Sequence, residues 1–163
     1  MTIEQINDLD QHQFVETLGW AFEHSPWVAE RAWRHRPFAG RDELCDRMNG
    51  EVESASVEER LALIQAHPDL GTRAKMSPGS ANEQAGAGLD QLTPAEYDRL
   101  VKLNTAYLEK FGFPFIYAVN GSNKFAILEA LWVRSEADYE QEFREALRQV
   151  YQIARFRLED IIR

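Results

Sequence analysis

The chain is short of several residue types, and each shortage closes off a class of function. It has one cysteine, Cys45, so an intrachain disulfide and a cysteine-based zinc site are both excluded. A reducing cytoplasm is the expected setting. Its four histidines, His12, His24, His35 and His67, include no His-x-x-x-His pair, so no metal is expected. Basic residues are outnumbered, with 18 Lys and Arg against 27 Asp and Glu and a formal net charge of −9. Nucleic acid, whose phosphates need clustered cations, is therefore not an expected partner. A small anion is compatible with this balance, because one or two local cations or a helix N-terminus can hold it. No apolar run approaches the roughly 20 residues that cross a bilayer. The first residues, Met1 to Ile6, lack the basic and apolar regions of a secretory signal. The last four, Asp160 to Arg163, carry neither a Ser-Lys-Leu address nor a prenylation box. A cytoplasmic protein without membrane attachment is expected.

Strand alternation is also missing, and the patterns present are helical. The 163 residues, 44% hydrophobic and 28% charged, suit one globular domain over 1–163. A first helix is expected over about 10–23, with Phe14, Leu18, Ala21 and Phe22 on one face. Ser25-Pro26 reads as an N-cap followed by proline at N1, opening a short helix with Trp27, Val28 and Trp33 that ends before Pro37. Another helix is expected from Asp42 to about Val52. Ser56-Val57-Glu58-Glu59 is a capping box, and its helix runs until Pro68. Thr93-Pro94-Ala95-Glu96 is a second box. After it, Tyr97, Leu100, Val101, Asn104, Tyr107, Leu108 and Phe111 share one face, and Gly112 suits a left-handed cap. A helix over about 122–134 is expected to turn Phe125, Leu128, Leu131 and Trp132 inward. The last, about 137–161, would be about 37 Å long. The expected fold is all-α, a compact bundle of seven to eight helices with ordered loops.

Four features bear on chemistry. At the end of the fourth expected helix stands Leu63-Ile64-Gln65-Ala66-His67-Pro68-Asp69-Leu70-Gly71. Pro68 pushes His67 out of the α region, so the imidazole sits on a fixed corner. Two readings fit: a capping and packing histidine, or an acid–base group near neutral pH. Asp69 either orients it or caps the next turn. Further on, Ser80 and Glu83 form a Ser-x-x-Glu pair. It is a structural capping box, or a helix N-terminus whose free N–H groups, with Glu83 and Gln84, meet an anion. Gly86-x-Gly88 lacks the third glycine and the preceding strand of a dinucleotide site. On the last helix Arg157 lies within the apolar stripe of Phe143, Ala146, Leu147, Val150, Ala154, Leu158 and Ile161. An inward arginine needs an anionic partner: an internal carboxylate, or one on a ligand. Asn104, on an apolar face, reads as a hydrogen-bonded structural residue. Finally, Phe113-Pro114-Phe115-Ile116-Tyr117-Ala118-Val119 is apolar with no second strand to pair with. If it is extended, its main-chain groups need other partners, which a planar polar heterocycle would supply.

Taken together, His67-Pro68-Asp69-Leu70-Gly71, Ser80-x-x-Glu83-Gln84 with Gly88-Leu89, and Phe111-Gly112-Phe113-Pro114-Phe115 resemble the 2-oxo-4-hydroxy-4-carboxy-5-ureidoimidazoline (OHCU) decarboxylases of urate catabolism. Arg36-Pro37-Phe38 and the closing Ile153-Ala154-Arg155-Phe156-Arg157-Leu158 add to the likeness, which covers nearly the whole chain. The resemblance implies an all-α homodimer without metal or organic cofactor that forms (S)-allantoin and CO2 from a small anionic heterocycle. It implies His67 as the catalytic acid/base. Substrate contacts would fall on Pro68, on Ser80, Ala81, Asn82, Glu83 and Gln84, on Phe115, Ile116, Tyr117, Ala118 and Val119, and on Arg157. One departure is visible: Ser135-Glu136-Ala137-Asp138 lacks an asparagine expected there, which bears on helix capping. A hydrolase of the same pathway and a helical binding module are the alternatives, and neither accounts for the three ordered blocks.

Overall fold

The computed structural model describes residues 1–70 and 83–163, and these are all-α, with no strand among them. They fall into two compact units, Met1–Ala66 with Tyr151–Arg163, and His67–Val150. The last helix supplies residues to both.

In the first unit, α1 (Ile3–Asn7) and α2 (Gln11–Leu18) each begin with a reciprocal capping box, from Thr2 with Gln5 and from Asp10 with Gln13. Such a cap contributes on the order of 1 kcal/mol. The helix expected over 10–23 is shorter: α2 stops at Leu18 and tightens into a 3-10 turn at Gly19–Ala21. Gly19 at that junction lies close to Pro26: a Cβ there would stand 3.4 Å from Val15 Cγ1 and 3.7 Å from Pro26 Cα, in ordinary contact. α3 (Trp27–Ala32) follows, then a 3-10 turn at Trp33–His35. Pro26 is the N-cap rather than N1, because the Ser25 hydroxyl donates back to the Glu23 carbonyl at 2.9 Å instead of capping.

The Arg36-Pro37-Phe38 element is tied down by Asn7. Its side chain accepts from the Phe38 N–H at 2.8 Å and donates to the Phe38 carbonyl at 2.9 Å. α4 (Arg41–Glu53) and α5 (Val57–Gln65) complete the unit, the latter opened by the expected Ser56 and Glu59 box. The core consists of Ile6, Phe14, Leu18, Phe22, Val28, Leu44, Met48, Leu63, Ile64, Leu158 and Ile162, all buried. Each such side chain contributes roughly 1.5–3 kcal/mol by leaving water. Three indoles here carry a guanidinium over the ring: Arg31 on Trp27 at 4.5 Å, Arg36 on Trp33 at 3.9 Å and Arg157 on Trp20 at 5.4 Å.

The second unit holds α6 (Pro94–Phe111), α7 (Lys124–Arg134) and the first half of α8 (Tyr139–Ile161), with a helical turn at 83–86. α6 starts as expected, with Thr93 capping Glu96 and Pro94 at N1. It ends at Gly112, whose φ of 76° is left-handed and whose N–H reaches the Leu108 carbonyl. Asn123 caps α7 by accepting from the Phe125 and Ala126 N–H groups. The departure at 135–138 has a local remedy: Asp138 accepts from the Gln141 N–H at 2.9 Å and so caps α8. Tyr107, Phe111, Phe113, Phe115 and Phe143 form the aromatic core, with Tyr107 edge-on to Phe115 at 5.4 Å.

One expectation fails on α7. Leu128 and Leu131 are buried with Ile127, but Phe125 and Trp132 are 68% and 56% exposed. The buried stripe is centred on 127, 128 and 131, which turns 125, 132 and 133 outward.

Candidate active site

The histidine corner is built by α5. Its last C-cap bond runs from the Ala66 N–H to the Ala62 carbonyl, and Pro68, lacking a donor, cannot extend the helix. His67 follows at 7% exposure, and Leu70 is also buried. The Asn104 side-chain amide, from α6, donates to the Leu70 carbonyl at 3.1 Å. This is the structural role expected for Asn104, and it fixes the strand of chain just beyond the histidine. Burial pushes the Asp69 carboxyl above its ordinary value.

Glu83 and Gln84 lie in the helical stretch 83–86, with Gln84 buried and Glu83 half-buried. The turn ends in a Schellman motif. The Leu89 N–H bonds the Gln84 carbonyl at 3.0 Å and the Gly88 N–H the Ala85 carbonyl at 3.0 Å, with Gly88 left-handed at φ 82°. Gly88 therefore terminates a helix and cradles no phosphate. Ser80, Ala81 and Asn82, and the 72–79 loop, lie outside the described residues.

Residues 113–119 are neither helix nor strand, and Phe115, Ile116 and Val119 are buried. Their main-chain groups are partly answered by the protein itself. Arg134 donates to the Ile116 carbonyl at 2.6 Å, and the Ala118 N–H donates to Gln149 Oε1 at 2.9 Å. The Ser122 N–H takes the Val119 carbonyl. A ligand is therefore not needed at those three groups, which narrows the expectation drawn from the sequence. Arg134 is held in turn by Glu142, through its Nε at 2.8 Å and through Nη2. The Tyr107 hydroxyl donates to the same carboxylate oxygen at 2.5 Å. Burial, then the adjoining Glu142 carboxylate, drives the Tyr107 phenol far above its ordinary value.

Arg134, Glu142, Tyr107 and Gln149 were not singled out from the sequence. Glu142 carried a signal, since it lies four residues before Ala146, in register with the same apolar stripe as Arg157. His67, Pro68, Glu83, Gln84 and Phe115–Val119 all belong to the second unit. Arg157 belongs to the first, where it meets an internal carboxylate. It is 2% exposed and its Nη2 lies 2.9 Å from Glu23 Oε2, itself 1% exposed, while Nη1 donates to the Trp20 carbonyl at 3.0 Å. Among the described residues, no group of three or more His, Cys, Asp or Glu could hold a metal ion.

A buried imidazole followed by a proline, in a unit that also holds a buried glutamine and a main-chain run that is neither helix nor strand, defines a helical protein equipped for acid–base work on a small polar ligand. Residues 7–159 match the family model described as OHCU decarboxylase, and the chain belongs to that family. It is 48% identical over 158 residues to the 2-oxo-4-hydroxy-4-carboxy-5-ureidoimidazoline decarboxylase of Haloferax volcanii, covering 97% of this chain and 94% of that one. It is 47% identical over 161 residues to the uric acid degradation bifunctional protein PucL of Bacillus subtilis, covering 99% of this chain but 33% of that one. A crystal structure of (S)-allantoin synthase superimposes with a TM-score of 0.83 at 33% identity, covering 99% of this chain and 54% of that chain. The chain thus spans about a third of one relative and nearly all of another.

Proposed function

We propose that residues 1–163 act as one decarboxylase domain that converts the OHCU anion to (S)-allantoin and CO2, with His67 as the acid/base group. The observation that carries this reading is His67 itself, buried at the end of α5 beside Pro68, with Asn104 bonded to the Leu70 carbonyl just beyond it. In the substrate the carboxyl-bearing carbon also carries a hydroxyl and adjoins a ring imine. When CO2 leaves, the electron pair of the broken C–C bond forms a double bond to the neighbouring ring carbon. The imine pair then moves to nitrogen, which takes a proton. His67 accepts the hydroxyl proton and returns one to the ureido-bearing carbon on one face, so that the hydroxyl becomes a carbonyl and a single hand of product forms. Protein groups aimed at the developing charge lower the barrier.

Glu83 and Gln84, with Ser80, Ala81 and Asn82, orient the ureido and ring nitrogens. Pro68 and Phe115–Val119 line the same ligand. Arg157 serves the substrate only if it can exchange its Glu23 contact for a substrate oxygen. The partner of the chain is a second copy of itself, which would cover the outward Phe125, Trp132 and Val133 of α7. Its place is the cytoplasm, in keeping with the absence, among the described residues, of a helix long and apolar enough to cross a membrane. The test is circular dichroism of allantoin while urate is oxidised, hydrolysed and passed to the protein. Rapid formation of one enantiomer is expected. Slow racemic product, equal with and without protein, would overturn the reading.

A further inference from the structure

The enclosed Glu23 carboxylate is met from two sides. Arg157 Nη2 lies 2.9 Å from its Oε2, and His24 Nε2 lies 3.6 Å from its Oε1. The histidine differs from the other two in its reach to solvent, since its side chain is 64% exposed. It is also the one residue other than glycine with a positive φ among the described residues, at 47°. Glycine takes up a left-handed backbone without strain, yet the chain has an imidazole at this corner. The turn is closed around it. The Ser25 N–H donates to the Phe22 carbonyl at 3.1 Å, and the Ser25 hydroxyl donates to the Glu23 carbonyl at 2.9 Å. His24 therefore stands beside the carboxylate oxygen opposite the one paired with Arg157 Nη2.

We infer that His24 is a positioning residue for the reaction: it answers the Glu23 carboxylate when Arg157 turns from it to an oxygen of the substrate. Under the decarboxylase reading, on which this inference rests, that exchange takes a guanidinium from a carboxylate enclosed by protein. A buried carboxylate that loses its donor is costly, and the cost weakens substrate binding. A closing movement of about 1 Å or less brings His24 Nε2 to hydrogen-bond distance of Oε1. With its proton on Nε2 the ring donates whether neutral or charged. The imidazole stays largely in water throughout, so it gives up little hydration in the move. His24 thus acts on KM, through Glu23 and Arg157, and takes no part in the proton transfers at His67.

The experiment uses the whole chain. Stereoselective allantoin formation by the parent protein is measured first, and its absence would defeat the decarboxylase reading itself. Given an active parent, His24→Gly removes the donor at a backbone that glycine favours, so the melting temperature is expected to hold. KM is expected to rise roughly three- to tenfold, the effect of one hydrogen bond, with kcat held within about twofold. His24→Gln, whose side-chain amide nitrogen can stand where the imidazole Nε2 does, is expected to return KM to within about twofold of the parent's. A merely structural histidine would move the melting temperature and leave KM alone. An unchanged KM in His24→Gly, or a raised KM that His24→Gln does not restore, would overturn the inference. Should His24→Gly fail to fold, His24→Asn takes its place. Asparagine tolerates the left-handed region and its shorter amide does not reach Glu23, so the same rise in KM is expected, and its absence would overturn the inference.

Discussion

The pair Arg157 and Glu23 makes a sharp claim about stability. Both side chains are almost wholly enclosed, at 2% and 1% exposure, and the guanidinium also holds the Trp20 carbonyl. Glu23→Ala takes the paired carboxylate from a guanidinium that is almost wholly enclosed, and breaking a buried pair from one side costs about 3–5 kcal/mol. For a chain of this length each kcal/mol moves the melting temperature by about 2–4 °C, so a fall of roughly 6–20 °C is expected. Glu23→Leu with Arg157→Met removes both charges and fills similar volume. It forfeits the Trp20 contact, a loss of about 1–2 kcal/mol, and should recover most of the fall. Thermal melts followed at 222 nm at neutral pH are the assay. A fall below about 2 °C in Glu23→Ala would refute the claim that the two charges depend on each other, since an independent Arg157 would be no worse off without Glu23. The same double variant also separates two roles for Arg157. A KM equal to the parent's, with stability regained, makes the arginine wholly structural, whereas a raised KM on a stable fold assigns it to the substrate.

Other outcomes follow from the same reasoning. His67→Asn should keep the parent's melting temperature within a few degrees and lose on the order of 10²- to 10⁴-fold in kcat, and near-normal turnover would reject the assigned role. Asp69 titrates high because of burial, so the folded state binds its proton more tightly than the unfolded chain. Its contribution to stability is full below the unfolded carboxylate pKa and is lost as pH rises through the folded value. Asp69→Asn should therefore gain stability relative to the parent at pH 7 and little at pH 3, as denaturant titrations at the two values would reveal. Gly112→Ala places a Cβ on a φ of 76° with no neighbour within 4 Å, so the cost is conformational alone, about 1–2 kcal/mol. Urea titration should show the midpoint falling without a change in slope.

Much of the helical frame was legible because its signals are local. The Ser56 and Thr93 boxes, Pro94 at N1 and the Gly112 cap each depend on residues within one turn, and each stands where the sequence puts it. Other positions carry no such local mark. The helix expected to reach residue 23 stops at Leu18 and tightens into a 3-10 turn. Periodicity turns Phe125 and Trp132 inward, but it reports the existence of an apolar stripe better than its centre, and both are exposed. In the candidate site, the His67 corner and the inward Arg157 could be read from proline chemistry and helix register. Glu23, 134 positions from Arg157 in the chain and without a motif, could not be matched to it in advance. The hold of Arg134 and Gln149 on the 113–119 run was equally hidden, since side-chain bonds to main chain leave no spacing rule in the sequence.

The arginines stacked on tryptophan have an optical consequence. Three of the four tryptophans, Trp20, Trp27 and Trp33, belong to the first unit and lie within 5.4 Å of a guanidinium, while Trp132 stands alone and exposed on α7 of the second. Indole emission is thus divided between the two units by their own sequence. In Trp132→Phe the remaining fluorescence reports the first unit only, and comparison with the parent isolates the signal of the α7 face. Under the proposed pairing of two copies through that face, dilution of the parent protein carries its own emission reading of assembly, without any added label.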